Sequence, residues 1–246
     1  MKNYFNHLMY MNRGMSNIMK IVLLFFIIYA GSRFGSKIFS NPGIIIKIVL
    51  FMIAIMLHEV AHGAAALLSG DETAKRMGRL TLNPLKHIDV MGILLPIFLL
   101  ISGSGFIIGW AKPVPVNYYN FKNGRLGEFF VSVAGIATNL ILAIVATLIL
   151  KFFYGELKDM GMIQYIYYFI SINTILAVFN LIPIPPLDGS KILASFSGKE
   201  VRMAIFTMEQ YGFFIIIVLA YTGILNFFIS PVYKFFVRFL DMILSL

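Results

Sequence analysis

The chain has 246 residues, is 59% hydrophobic, has a mean hydropathy of +0.86 and carries a formal net charge of +9. That apolar content excludes an ordinary soluble domain and points to an integral membrane protein. The charge does not point to nucleic acid, because Lys and Arg lie between apolar runs rather than in an aromatic-interleaved patch, and they read as topology signals and contacts to membrane lipids. With no cysteine, disulfides, thiolate metal sites and cysteine nucleophiles are excluded.

Met1 to Lys20 is a polar, basic lead-in. The first span is expected from Ile18 to Ala30, extended toward Phe39, and it reads as a retained anchor because Gly31-Ser32-Arg33 makes a poor cleavage site. Asn41-Pro42-Gly43 signals a turn and a helix start, and the following helix, Ile44 to Gly70, is long enough to cross a hydrocarbon core of about 30 Å. In its middle stands His58-Glu59-Val60-Ala61-His62. Positions four apart share a helix face, so the two imidazoles can reach one tetrahedral metal while the carboxylate between them stays close. In this H-E-x-x-H arrangement a zinc hydrolase uses the histidines as ligands and the glutamate as base for water. The motif is short enough to arise by chance, but ionisable groups at membrane depth are costly unless they bind something.

Beyond the polar stretch 71–77, Arg79 to Leu82 alternates polar and apolar residues before the turn pair Asn83-Pro84. Two readings stand level: an ordinary connecting loop, or a short strand or hairpin whose edge pairs with an unwound substrate backbone. Ile93 to Ile108 is apolar but short and interrupted by Pro96 and Gly103-Ser104-Gly105, so it is expected to be re-entrant or buried among helices. The basic segments 71–92, 110–127 and 187–211 then share one face, which the positive-inside rule makes cytoplasmic. Pro113 and Pro115 make 109–117 extended and stiff, and Trp110, Tyr118 and Tyr119 suit the headgroup level.

Glu128 to Leu150 is the next span, with small residues from Ala134 to Asn139 that admit a close neighbour. After a polar connection, a span from Met162 to Ile182 ends in Asn180-Leu181-Ile182-Pro183-Ile184-Pro185-Pro186-Leu187-Asp188-Gly189. Asp188, presented from this proline-broken piece, is either a metal ligand or the cap of the helix that follows, and the HEVAH helix tips the choice to ligand. Ser190 to Tyr211 is expected as an amphipathic surface segment and Gly212 to Ile229 as a further span, while Pro231 to Leu246 reads as an interfacial helix or a return pass.

HEVAHG at 58–63, GRLTLNPLKHID at 78–89, GWAKPVPVN at 109–117 and NLIPIPPLDG at 180–189 together resemble the site-2 protease family of intramembrane zinc metalloproteases, peptidase family M50. The closer likeness is to its compact prokaryotic branch without PDZ or CBS domains, and it covers about Ile44 to Lys191. The resemblance implies that His58, His62 and Asp188 bind one zinc ion, that Glu59 activates water and that Asn180 helps hold the substrate carbonyl or its oxyanion. One departure stands in the middle core helix, where family members often have Ala-Gly-Pro with Asn two residues later and this chain has Gly135-Ile136-Ala137-Thr138-Asn139. His87 reads as a polar loop residue rather than a fourth ligand or a gate.

The expectation is therefore an all-α integral membrane protein, a polytopic bundle of about five to six transmembrane helices with a short membrane-associated β-hairpin or re-entrant segment. It forms a single metalloprotease domain over 1–246, with an N-terminal anchor (1–43), a core (44–191) and C-terminal helices (192–246). Its expected partners are a transmembrane protein substrate and membrane lipids, with no nucleic acid and an open oligomeric state. It is expected in the cell membrane with the active site nearer the cytoplasmic face. The alternative is a metal-binding, non-proteolytic membrane protein or a metal transporter, although a transport path usually spreads ionisable groups over several spans.

Overall fold

A computed structural model describes residues 42–89, 92 and 111–245, and every regular element among them is helical. In chain order these are α1 (Gly43–Leu68), α2 (Thr73–Arg76), α3 (Gly124–Phe152), α4 (Tyr154–Asp159), α5 (Ile163–Asn180), α6 (Asp188–Phe196), α7 (Lys199–Glu209), α8 (Gly212–Tyr221) and α9 (Ile224–Ser245). Short 3-10 turns at Pro84–Lys86 and Tyr118–Asn120 lie between α2 and α3. Helices α1, α3 and α5 are long and apolar enough to cross a membrane. Lys199–Glu209 and Phe214–Tyr221, bent by 81° at their junction, add a fourth crossing if the pair is one broken span. The span expected at Ile18 to Ala30 within the anchor 1–43, the re-entrant segment 93–108 and Trp110 lie outside the described residues.

Helix α3 is the centre of the bundle and packs against α1, α5, α6 and α9. Its buried face repeats every four residues through Gly127, Val131, Gly135, Asn139, Ala143 and Thr147. Side chains at that spacing share one face, and small ones let a neighbouring backbone approach closely. Toward the C-terminal end of α3, Ala143, Ala146 and Leu150 pack with Ile170 of α5 and Leu240 of α9. Toward its start, Val131 packs with Ala66 and Phe121.

The strand considered at Arg79 to Leu82 is not formed among the described residues. These residues are irregular, because side chains rather than a ladder satisfy the local main chain. Arg79 Nη2 donates to the carbonyls of Lys112 (2.7 Å) and Pro113 (3.2 Å), His87 Nε2 donates to the Thr81 carbonyl (2.9 Å), and the Lys112 N–H donates to the His87 carbonyl (2.9 Å). Residues 111–117 take no helix, as Pro113 and Pro115 dictate. The C-terminal third also departs from expectation. The amphipathic stretch is two helices, α6 and α7, and the span drawn over Gly212 to Ile229 is interrupted at Thr222-Gly223, where Gly223 takes φ +76° and ends α8. The chain beyond Pro231 belongs to a longer helix, α9, that contains the proline.

The loop ends are fixed by Asp71, a fully buried carboxylate just past α1. Its Oδ2 accepts from the Asn117 N–H (2.7 Å), and its Oδ1 accepts from Asn120 Nδ2 (2.7 Å), the Thr73 hydroxyl (2.5 Å) and the Thr73 N–H (3.1 Å). Burial alone would raise its pKa, but the donors from Asn117, Thr73 and Asn120 outweigh burial and hold it below the ordinary carboxylate value. A depressed folded pKa contributes stability that is present above the unfolded value of about 4 and is lost as pH falls through the folded one. Asp71→Asn is therefore expected to cost about 1–3 kcal/mol near neutral pH. In detergent melting curves the gap from wild type should be wide at pH 6 and narrow toward pH 3.

Candidate metal centre

Helix α1 carries His58 and His62 one turn apart, both buried and facing α3. His62 Nδ1 lies 2.7 Å from the Val131 carbonyl and His58 Nδ1 lies 2.6 Å from Asn139 Oδ1. A carbonyl oxygen only accepts, so each Nδ1 carries a proton, and in the neutral ring each Nε2 presents a bare lone pair. The two Nε2 atoms are 3.0 Å apart. Asp188 arrives from the opposite direction in the first turn of α6, while Leu187 occupies the N-cap position. The Asp188 Oδ2 atom lies 3.2 Å from each Nε2 and, among the described residues, has no hydrogen-bond donor.

With both rings neutral, three buried acceptor atoms converge, an arrangement that calls for a cation. Zinc bonds of about 2.0–2.2 Å at the tetrahedral angle set ligand atoms roughly 3.3–3.5 Å apart. The observed 3.0–3.2 Å differs from that by a few tenths of an ångström, so the three groups fit such an ion with little movement. Gly135 makes room for it. A Cβ there would stand 2.4 Å from His62 Nε2 and 2.7 Å from His58 Nε2, so a side chain on α3 at this level would fill the space where the lone pairs meet.

Glu59 sits beside the histidines and is half-buried. One of its oxygens, Oε2, accepts the N–H of Val114 at 2.8 Å, the single donor available from Pro113-Val114-Pro115. Asn180 is the last residue of α5. Its Nδ2 donates to the Leu176 carbonyl one turn back (3.0 Å), so its amide is engaged by its own helix. His87 stands apart from the cluster, in the loop and bonded to Thr81. Gly135, Val114, the Val131 carbonyl and the Asn139 amide are parts of the site that sequence reasoning did not assign to it. The signals for Asn139 are an amide in the middle of an apolar helix and its place in the family-like stretch that begins at Gly135.

A membrane-type helical bundle in which two imidazoles and a carboxylate converge beside a glutamate has the donor set of a zinc hydrolase. The model of peptidase family M50 matches residues 148–222, which include Asn180 and Asp188. YwhC of Bacillus subtilis is 37% identical over 190 residues, covering 75% of this chain and 84% of YwhC. Rip2 of Mycolicibacterium smegmatis is 31% identical over 201 residues, covering 80% of this chain and 75% of that protein. Rip2 of Mycobacterium tuberculosis is 26% identical over 200 residues with the same two shares. All of these relatives carry names that describe zinc metalloproteases. No solved structure gives a significant match. The chain belongs to peptidase family M50.

Replacing Gly135 with Ala puts a methyl group among the ligand atoms. Zinc affinity is expected to fall about tenfold or more with helix content unchanged. Chelator competition alongside far-ultraviolet circular dichroism checks this.

Proposed function

We propose that the protein is an intramembrane zinc metalloprotease of the cell membrane that hydrolyses peptide bonds of transmembrane protein substrates within or near the bilayer. The observation that carries this reading is the convergence of His58, His62 and Asp188, with no donor on Asp188 Oδ2 among the described residues, directly beside Glu59 in the chain. These three side chains hold the zinc ion. When bound, zinc polarises the scissile carbonyl and brings the pKa of a water toward about 7. Glu59 takes the proton from the attacking water, the new C–O bond forms, and the same carboxylic acid hands the proton to the amine as the C–N bond breaks. The Val114 N–H steadies one carboxylate oxygen during this exchange. Asn180 turns from Leu176 to donate to the developing oxyanion, a contribution of roughly 3–4 kcal/mol for one such donor. A transmembrane substrate must unwind locally first, because helical hydrogen bonds hide its carbonyls.

The span count and orientation belong to the same reading. Helices α1, α3 and α5, with the anchor at 1–43 and one or two crossings from α7 to α9, give about five to six spans. The end of α1 meets the start of α3, since the Lys122 N–H bonds the Ser69 carbonyl, and α7 joins them there, since Arg202 reaches Glu128 at 2.8 Å. Their basic residues favour the cytoplasmic side, from which water reaches the site. The whole chain acts as a single domain, with 44–191 as the catalytic core. Among the described residues there is one metal-ligating group and no second along another path, which favours hydrolysis over transport.

Glu59→Gln is the direct test in liposomes with a tagged transmembrane substrate. Zinc content should match wild type while cleavage drops by about 10²–10⁴-fold. Wild-type cleavage by the variant would remove Glu59 from the base role, and zinc flux without any cleavage by the wild-type enzyme would point to a transporter.

A further inference from the structure

Asn139 and Asn173 are both fully buried within helices apolar enough to span a membrane, where an amide without partners is costly. Their contacts form a directed chain. Asn173 Nδ2 lies 2.8 Å from the carbonyl of Phe169, one turn back on α5. That carbonyl only accepts, so it dictates which end of the Asn173 amide faces it, and Oδ1 is turned toward α3. There Oδ1 accepts from Asn139 Nδ2 at 2.9 Å, with the Ala54 carbonyl at 3.5 Å on the same nitrogen. The Asn139 NH₂ group is thereby committed, its Oδ1 is what remains for His58, and His58 Nδ1 must donate across the 2.6 Å contact.

Resting on the zinc reading above, we propose that Asn173 is a positioning residue for the metal centre, fixing through Asn139 the tautomer and aim of His58. His62 receives the same instruction from one main-chain carbonyl, that of Val131. His58 faces a side-chain amide instead, and an asparagine by itself serves either tautomer, because it offers a donor and an acceptor. Turned the other way, Asn139 would give its N–H to Nδ1 and move the imidazole proton to Nε2, into the place of the metal. Asn173 removes that choice. The relay runs across α5, α3 and α1, so the packing of three spans is read out at one lone pair.

A polar pair between helices also acts as plain glue, and the test has to separate the two roles. Thr174 supplies the matched control. It is buried on the same helix, but among the described residues its hydroxyl bonds only the Ile170 carbonyl of its own helix (2.8 Å). Zinc affinity of the purified full-length enzyme is measured by chelator competition for wild type, Asn173→Leu, Thr174→Val, Asn139→Ala and the Asn139→Ala/Asn173→Leu double variant. The relay predicts about a 10–100-fold loss for Asn173→Leu. It also predicts wild-type affinity for Thr174→Val and no additional loss when Asn173→Leu is added to Asn139→Ala. Equal losses for Asn173→Leu and Thr174→Val, or additive losses in the double variant, would overturn it. Should Asn173→Leu fail to fold, ¹⁵N-histidine spectra of the zinc-free wild-type enzyme decide the matter, with Nδ1 of His58 protonated as expected and a neutral ring protonated on Nε2 with Nδ1 bare fatal. A wild type that binds no zinc yet shows the Nδ1 proton would end the zinc reading while leaving the relay standing.

Discussion

Lone pairs brought together out of water repel, and this repulsion governs the centre of the molecule. His58, His62 and Asp188 aim three acceptor atoms at a common point with separations of 3.0–3.2 Å. In a medium of low dielectric that is tolerable only with a positive charge between them or a proton on one of them. The Val131 carbonyl and Asn139 Oδ1 hold the proton of each neutral imidazole on the far nitrogen, so the near nitrogens face Asp188 as lone pairs suited to a cation. The bundle is built to maintain this arrangement.

Helix α3 does most of that maintenance without supplying a ligand. Its buried face offers a carbonyl at Val131, an absent side chain at Gly135 and an amide at Asn139, each opposite a different part of the α1 histidine pair. The same face continues into Ala143 and Thr147, where contact with α5 and α9 is apolar and Thr147 bonds its own helix. Close helix packing and an open metal position are thus two consequences of one run of small residues. Ile136 stands where the resemblance leads one to expect a proline, and α3 runs unbroken from Gly124 to Phe152 with Asn139 in contact with His58.

The loop before α3 connects stability to chemistry. Arg79 grips the carbonyls of Lys112 and Pro113, and Asp71 takes the N–H of Asn117. Between these two anchors Val114 presents its N–H to Glu59. Two buried charges that touch no ligand therefore set the position of a carboxylate that stands next to one. Both anchors are side chains bonding main chain, which is why the segment is ordered without any strand.

By itself the sequence determined what depends on local periodicity and composition: the membrane class, helices α1, α3 and α5, the shared face of His58 and His62, and the stiffness around Pro113 and Pro115. It left open whether 79–82 pairs as a strand, and it drew one span where Gly223 makes two helices, because short apolar runs do not reveal where a turn interrupts them. The meeting of Asp188 with the histidines was inferred from chemistry and likeness, since no local spacing links residues so far apart. Only the tertiary structure decided what lies across the helix interfaces, namely that Gly135 clears the space, that Val114 reaches Glu59 and that Asn139 aims His58. These are contacts between residues tens of positions apart, and their geometry arises from how closely the helices pack, which no window of sequence encodes.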